Sequence, residues 1–528
     1  MGYRLGIDVG GTNTDAVILD DTGRLLSKAK RSTTLDVTTG IKEALWAVLE
    51  SEGSQQLDRS RITHAMLGTT HCTNAIVERK GLSSVAVLRI GAPATIAVPP
   101  LSDWPEDLVQ KLGAKVRVVE GGNEFDGREI VPFNEQQVRD FAEEIQGIRA
   151  VAVTGVFAPV SDVHEKRAEK ILREILGGEV AISLSSQIGS IGLLERENAT
   201  ILNAALTDVA IQSTSAFSSA LEEIGISAEK YFAQNDGTLM KLEYALRYPI
   251  LTVASGPTSS LRGAAYLTGR NDAVVIDVGG TTSDIGYLQN GFPRESSVAV
   301  EIGGVRTNFR MPDLISMGLG GGTMVIESGG VVRVGPESVG YRLTEEAQIY
   351  GGNVITMSDV AVAAGIVQFG DINLALAMDV SIRDIALSRA RMMLEEGLDR
   401  MKTSAGLVPV IAVGGGSFLI PHDLAGATEV LRPENSEVAN AIGAATAQVS
   451  GEVDRVFSLD HLGRDKVLEE AKAQAIKFAV EAGADASAIQ IIEVEEVPLA
   501  YLPGNATRIR VKAAGPLDIM TSMSLREQ

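Results

Sequence analysis

Two stretches of the chain set an aspartate directly before a glycine turn: "DVGGTNTD" at residues 8–15 and "DVGGTTSD" at residues 277–284. Six of the eight positions are identical between copies that begin 269 residues apart. In each copy an apolar, β-branched run leads into Asp, and Gly-Gly-Thr then turns the chain back. Gly10, Gly11, Gly279 and Gly280 let the backbone approach a ligand closely and aim successive N–H groups at it, which suits phosphate oxygens. Thr12, Thr14, Thr281 and Thr282 add hydroxyl donors. Asp8 and Asp277 would repel a polyphosphate unless a divalent cation lay between them, and Mg²⁺ (or Mn²⁺), which shares phosphate oxygens and keeps several waters, fits that role. A lone Gly-Gly turn reads as a plain hairpin with a capping Asp; two matched copies favour the ligand.

A third cluster, "VIAVGGGS" at 410–417, again follows an apolar strand. Bare backbone at Gly414, Gly415 and Gly416 offers a surface against which a flat purine can lie. The chain has no G-x-x-x-x-G-K-[ST] and no G-x-G-x-x-G after a strand, which removes the P-loop and Rossmann explanations.

The elements that must position these turns alternate between strand and helix, which predicts α/β architecture. "YRLGID" and "DAVILD" read as the two strands of the first hairpin. An amphipathic helix follows near "TTGIKEALWAVLESEG", with Ile41, Leu45 and Val48 on one stripe. "ITHAMLG" and "SSVAVLRIG" read as buried strands, and residues 92–135, rich in Pro, Gly and charge, as an insertion. A long helical run at 195–223 marks a crossover between lobes. The expected division is a first lobe at 1–194, a second at 195–450 and a small α+β region at 451–528.

A net charge of −21 argues against a nucleic-acid partner and requires any anion site to be built locally. The single cysteine, Cys72, excludes an intrachain disulfide. No apolar run approaches the roughly 18 residues of a membrane span. With no basic-then-apolar leader at the N-terminus, a cytoplasmic location is expected. His71 and Cys72 in "GTTHCTN" precede a helix and read either as a reactive pair or as buried, hydrogen-bonded side chains. Glu195, Arg196 and Asn198 either cap their helix or act in chemistry, and Asn235 with Asp236 either lines a substrate side or makes a turn.

Twin phosphate hairpins with a later "VGGGS" resemble the actin, sugar-kinase and Hsp70 ATPase superfamily. That likeness implies duplicated actin-like (ribonuclease H-like) domains flanking a nucleotide cleft, with Asp8 and Asp277 near the metal of Mg-ATP. Within it, "LGTTHCTNAIVERKG", "SLSSQIGSIGLLERENATILNAAL", "TVASGPTSSLRGAAYL" and "GLGGGTMVIESGGVVRVGPES" are similar to the hydantoinase A and 5-oxoprolinase family, in order over residues 4–450. Members use ATP to open a cyclic amide or to activate a ketone for carboxylation, often with a second subunit. The resemblance therefore implies an ATP-dependent hydrolase subunit acting on a hydantoin, 5-oxoproline or related lactam, joined by a B-type partner in an oligomer. A ketone-carboxylase subunit and an actin-like switch acting on a protein are the alternatives. One departure stands out: Ile315 occupies the place where relatives carry a His.

Overall fold

The computed structural model describes residues 2–33, 37–51, 57–189, 191–296, 300–309, 311–500 and 504–518. Two sheets carry the glycine hairpins. In the first, the strands run in the order Leu25–Ser32, Asn13–Leu19, Tyr3–Val9, Ile62–Thr69 and Glu229–Ala233. Tyr3–Val9 pairs antiparallel with Asn13–Leu19 and parallel with Ile62–Thr69. The second sheet repeats this plan as Phe292–Pro293, Ser283–Gln289, Ala273–Val278, Val408–Val413 and Ala427–Leu431, with Leu314–Met317 beside Ser283–Gln289. Here too the hairpin pair is antiparallel and the next strand parallel. Alternate residues of the two central strands, Leu5, Ile7 and Val9 in one and Val274, Ile276 and Val278 in the other, are buried on one face of each sheet. The chain thus has the mixed α/β, duplicated actin-like fold that its sequence implied.

The sheets draw different boundaries from the expected divisions. Val85–Ala92 leaves the first sheet and forms a separate four-stranded parallel sheet with Lys115–Glu120, Ala150–Gly155 and Ala181–Leu184. What inserts into the first lobe is therefore a βα unit with its own core around Leu88, Phe141 and Leu172, larger than the loop expected at 92–135. Residues 229–241 belong to the first sheet, although they follow the crossover at 195. The run at 195–223 is two helices, Leu193–Ala205 and Thr207–Glu223, joined at Leu206.

The C-terminal strands Val449–Ser458, Ala506–Gly515 and Gln490–Pro498 extend the first sheet past Leu239–Lys241, with helix Arg464–Glu481 packed on them. They share one core with Met66 and Tyr231 of the central strands. The region is α+β, but its strands continue the first sheet. Residues 519–528 of that expected region lie outside the described residues.

Helices Ser255–Thr268 and Ala439–Thr446 cross between the two sheets. A Cβ on Gly263 would lie 1.8 Å from the carbonyl oxygen of Ala439, and one on Gly443 equally close to that of Ser259. Glycine on each helix lets the two backbones touch, and this contact fixes how the hairpins face each other.

Candidate active site: two hairpins over one cavity

The tips of the two hairpins meet. A Cβ on Gly280 would fall 2.8 Å from Thr12 Cγ2, so the second turn rests against the first. Both turns close the same way: the Gly10 N–H donates to Asn13 O at 3.0 Å and the Gly279 N–H to Thr282 O at 2.9 Å. Between them lies a cavity of about 440 Å³. The first hairpin lines it with Asp8, Gly10, Gly11 and Thr12, the second with Asp277, Gly279, Gly280, Thr281 and Thr282. Gly414, Gly415 and Gly416 line it as well, their turn tied to the second hairpin by the Gly416 N–H donating to Val278 O at 2.7 Å. A further glycine run supports that hairpin from behind, through Gly321 N–H to Gly279 O at 3.0 Å and Gly322 N–H to Gly280 O at 2.7 Å.

Thr14 does not join them. Strand side chains alternate, so Asn13 and Asp15 face the cavity while Thr14 is buried on the other face, its Oγ1 3.4 Å from Thr33 Oγ1. The same alternation in the second copy puts Thr282 and Asp284 in the cavity and turns Ser283 inward, where it donates to Leu319 O at 2.6 Å.

Four aspartates therefore face the cavity, with Glu437 also in its lining. The register pairs Asp8 with Asp15 and Asp277 with Asp284 across their hairpins. Burial, reinforced by the charge of Asp15, pushes Asp8 up to about 7. Burial raises Asp15 and Asp277 and pushes Asp284 up to about 6. Side chains temper the repulsion, among them Ser260 beside Asp277. Asn440 Nδ2 donates to Asp8 Oδ2 at 2.8 Å and to Asp15 Oδ2 at 2.9 Å. Lys30 Nζ stands 2.6 Å from Asp15. Ser316 Oγ donates to Asp284.

Asp8 Oδ1 is left buried with no hydrogen-bond partner among the described residues. A Cβ on Gly68 would lie 2.3 Å from that oxygen, and one on Gly414, at φ +87°, 2.2 Å from Asp277 Oδ1. Glycine at both positions makes room for a carboxylate rather than for a turn alone. Among the described residues no group of three or more His, Cys, Asp or Glu is arranged to hold a metal, so a cation here would take its other ligands from phosphate and water. Beyond Gly416, Phe369 and Phe418 meet edge to face at 5.9 Å, and with Tyr341 and Tyr350 they wall the end of the cavity suited to a flat base.

The remaining sequence candidates stand elsewhere. Cys72 is buried, and burial pushes its thiol up to about 11; the His71 ring bonds to Thr69 Oγ1, and burial lowers its pKa below the usual imidazole value. Arg196 donates to Ser185 Oγ at 2.9 Å and Gly155 O at 2.6 Å, while Asn198 accepts from Trp104 Nε1 at 2.7 Å. Both hold the inserted unit against the crossover helix. Asp236 pairs with Lys512 at 2.6 Å. Ile315 pairs in register with Ile285 and packs against the core of the second sheet.

Sequence reasoning missed Asn440, Lys30 and Ser316. Asp15 and Asp284 had a signal, since they close the eight-residue repeat. Asn440 had none, because it reaches the site only through the helix crossing.

The hydantoinase/oxoprolinase N-terminal region matches residues 4–176 and the hydantoinase/oxoprolinase region matches 196–373. The chain belongs to that family. It is 25% identical over 390 residues to the caprolactamase subunit alpha of Pseudomonas jessenii, covering 69% of this chain and 54% of that protein. It is 26% identical over 395 residues to the acetophenone carboxylase gamma subunit of Aromatoleum aromaticum, covering 68% and 53%. It thus spans about half the length of these curated relatives. The crystal structure of the ATP-dependent caprolactamase from Pseudomonas jessenii matches with a TM-score of 0.76 at 20% identity, over 97% of this chain and 87% of that one. Among the described residues no helix is long and apolar enough to cross a membrane.

Proposed function

We propose that this chain is the nucleotide-using subunit of an ATP-dependent hydrolase that opens a cyclic amide. The observation that carries the reading is the convergence of two glycine hairpins and four aspartates on one cavity. Its family membership and the caprolactamase relative support the amide as substrate class. The residues fit Mg-ATP: open backbone at Gly11 and Gly415, an orphaned carboxylate oxygen on Asp8, and an aromatic end wall.

A lactam carbonyl is a poor electrophile because its nitrogen donates into it; ATP, when bound, supplies a phosphoryl group that turns the carbonyl oxygen into a leaving group. The chain's own part is placement and charge neutralisation. N–H groups of Gly11–Thr12 and Gly280–Thr281 would hold phosphate oxygens, while those of Gly10 and Gly279 close their own turns. Asp8 and Asp277 would hold the cation, Mg²⁺ or Mn²⁺. Asn440 fixes the Asp8 carboxylate through Oδ2, and Oδ1, which has no partner among the described residues, would be available to that ion. Lys30 offsets part of the effect of burial on Asp15. Gly414–Gly416, Phe418 and Phe369 would seat the nucleoside.

Activating a ketone for carboxylation uses the same first step, and the acetophenone carboxylase relative favours this second reading. Both relatives are named as subunits, so a partner chain of B type is part of the proposal, as is a cytoplasmic oligomer. ATP turnover by the chain with its co-purified partner separates the readings. Turnover dependent on hydantoin, 5-oxoproline or caprolactam, with a ring-opened product, supports hydrolysis. Turnover dependent on ketone plus bicarbonate supports carboxylation instead. Turnover stimulated only by protein would sink both.

A further inference from the structure

We infer that two copies of this chain associate through the exposed face of the helix Val380–Met401, each packed antiparallel against its twin. The inference concerns how copies meet and does not depend on what the nucleotide cleft binds. Of the 25 large apolar side chains exposed among the described residues, seven fall between Ile366 and Met392, a stretch of about one-twentieth of the chain. Leu376, Val380 and Met392 are 60%, 58% and 59% exposed. The opposite side of the helix is fully engaged, with Ala386, Leu394 and Leu398 buried in the core of the second sheet. Such a concentration exposes several hundred Å² of apolar surface, the scale at which a patch marks an interface.

Charge selects the occupant. The whole chain carries −21, so a second copy is repelled wherever acids face acids. Between 366 and 392, however, Asp371, Asp379 and Asp384 are balanced by Arg383, Arg389 and Arg391. A face without net charge is where two such chains meet with least repulsion.

The helix is also complementary to itself. Ser381, Ile385, Ser388 and Met392 are exposed at spacings of four, three and four, the seam of a two-helix coiled coil. Antiparallel pairing about a two-fold axis between residues 386 and 387 opposes Ile385 to Ser388 and Ser381 to Met392. Each layer then sets a large side chain against a small one. The same register brings Asp384 of one copy to Arg389 of the other. Among the described residues Asp384 meets only its chain neighbour Arg383, at 2.8 Å, and Arg389 forms no ion pair. Parallel pairing would instead oppose Asp384 to Asp384 and Arg389 to Arg389, which repulsion disfavours.

The test is sedimentation of the full chain from low micromolar to tens of micromolar concentration. The parent is expected as a dimer. Ile385→Glu and Met392→Glu should each weaken self-association by roughly tenfold or more, the loss expected of a buried anchor. Their circular dichroism and their affinity for a nucleotide analogue should stay those of the parent. Asp384→Arg and Arg389→Asp should each weaken the dimer, and the two together should restore it, a rescue that only cross-pairing of these positions gives. The proposal is overturned if the parent is monomeric at tens of micromolar, if Ile385→Glu dimerises like the parent, or if the double exchange brings no rescue. A parent that is monomeric alone, yet loses a co-purified protein on Ile385→Glu, overturns it too and gives the face to a different partner. Should Ile385→Glu not fold, the charge exchange at exposed side chains decides.

Discussion

Asp8 is buried beside a second carboxylate with one oxygen unpartnered, and its ionisation is resisted up to about pH 7. For a carboxylate raised above its unfolded value, the folded chain binds more protons than the unfolded one between the two pKa values. Stability contributed by the protonated form is therefore lost as pH rises from about 4 to about 7. Above that window Asp8→Asn, which keeps the shape and an acceptor for Asn440, should melt several degrees higher than the parent without nucleotide. The same variant should lose ATP turnover by roughly a hundredfold or more, because the atom facing the cation no longer carries charge. A lower melting point together with unchanged turnover would remove Asp8 from the site. Cys72 makes the opposite case. A thiol held protonated up to about pH 11 is a poor nucleophile, so the folded chain should resist iodoacetamide at about pH 8 and react once denatured. Cys72→Ala should keep its turnover.

At the scale of elements, the sequence announced the hairpins because a strand's period of two and a Gly-Gly turn are local signals. The repeat of Asp-Val-Gly-Gly-Thr located both jaws, and strand alternation separates Thr14 from the residues that line the cavity. The helix crossing was invisible, since Gly263 and Gly443 lie far apart in the chain and read in isolation only as weak helix formers. Their role appears when the backbones meet: the space a methyl would need at either glycine is filled by a carbonyl of the other helix. Gly443→Ala must therefore separate the helices, and Asn440, one turn earlier, would withdraw from Asp8 and Asp15. Overpacking of this kind costs on the order of 1–3 kcal/mol, more where backbone is struck. The expected result is a lower melting temperature together with weakened nucleotide binding. Gly415→Ala, where nothing lies within 4 Å, is the control that should keep its stability.

For the whole molecule, the alternation of strand and helix pointed to the α/β class, whereas the ownership of each strand was set by pairings between distant segments. The C-terminal region shows why. Its helix reads as self-contained in sequence, yet Val453, Ile509 and Val511 bury themselves with Met66 and Tyr231 of the first sheet. Charge binds it further: Lys512 joins Asp236 at 2.6 Å to Glu295 at 3.3 Å, and Arg510 joins Glu295 at 2.9 Å to Glu452 at 2.5 Å. Removing residues 451–528 would expose the edge at Leu239–Lys241, uncover that core and leave Asp236 and Glu295 without their cations. An open edge beside exposed apolar surface recruits other chains. A chain ending at residue 450 should therefore aggregate or elute far above monomer size, although both hairpins remain. If instead it stayed monodisperse and melted like the parent, the C-terminal strands would be an independent addition and the single continuous first sheet would be disproved.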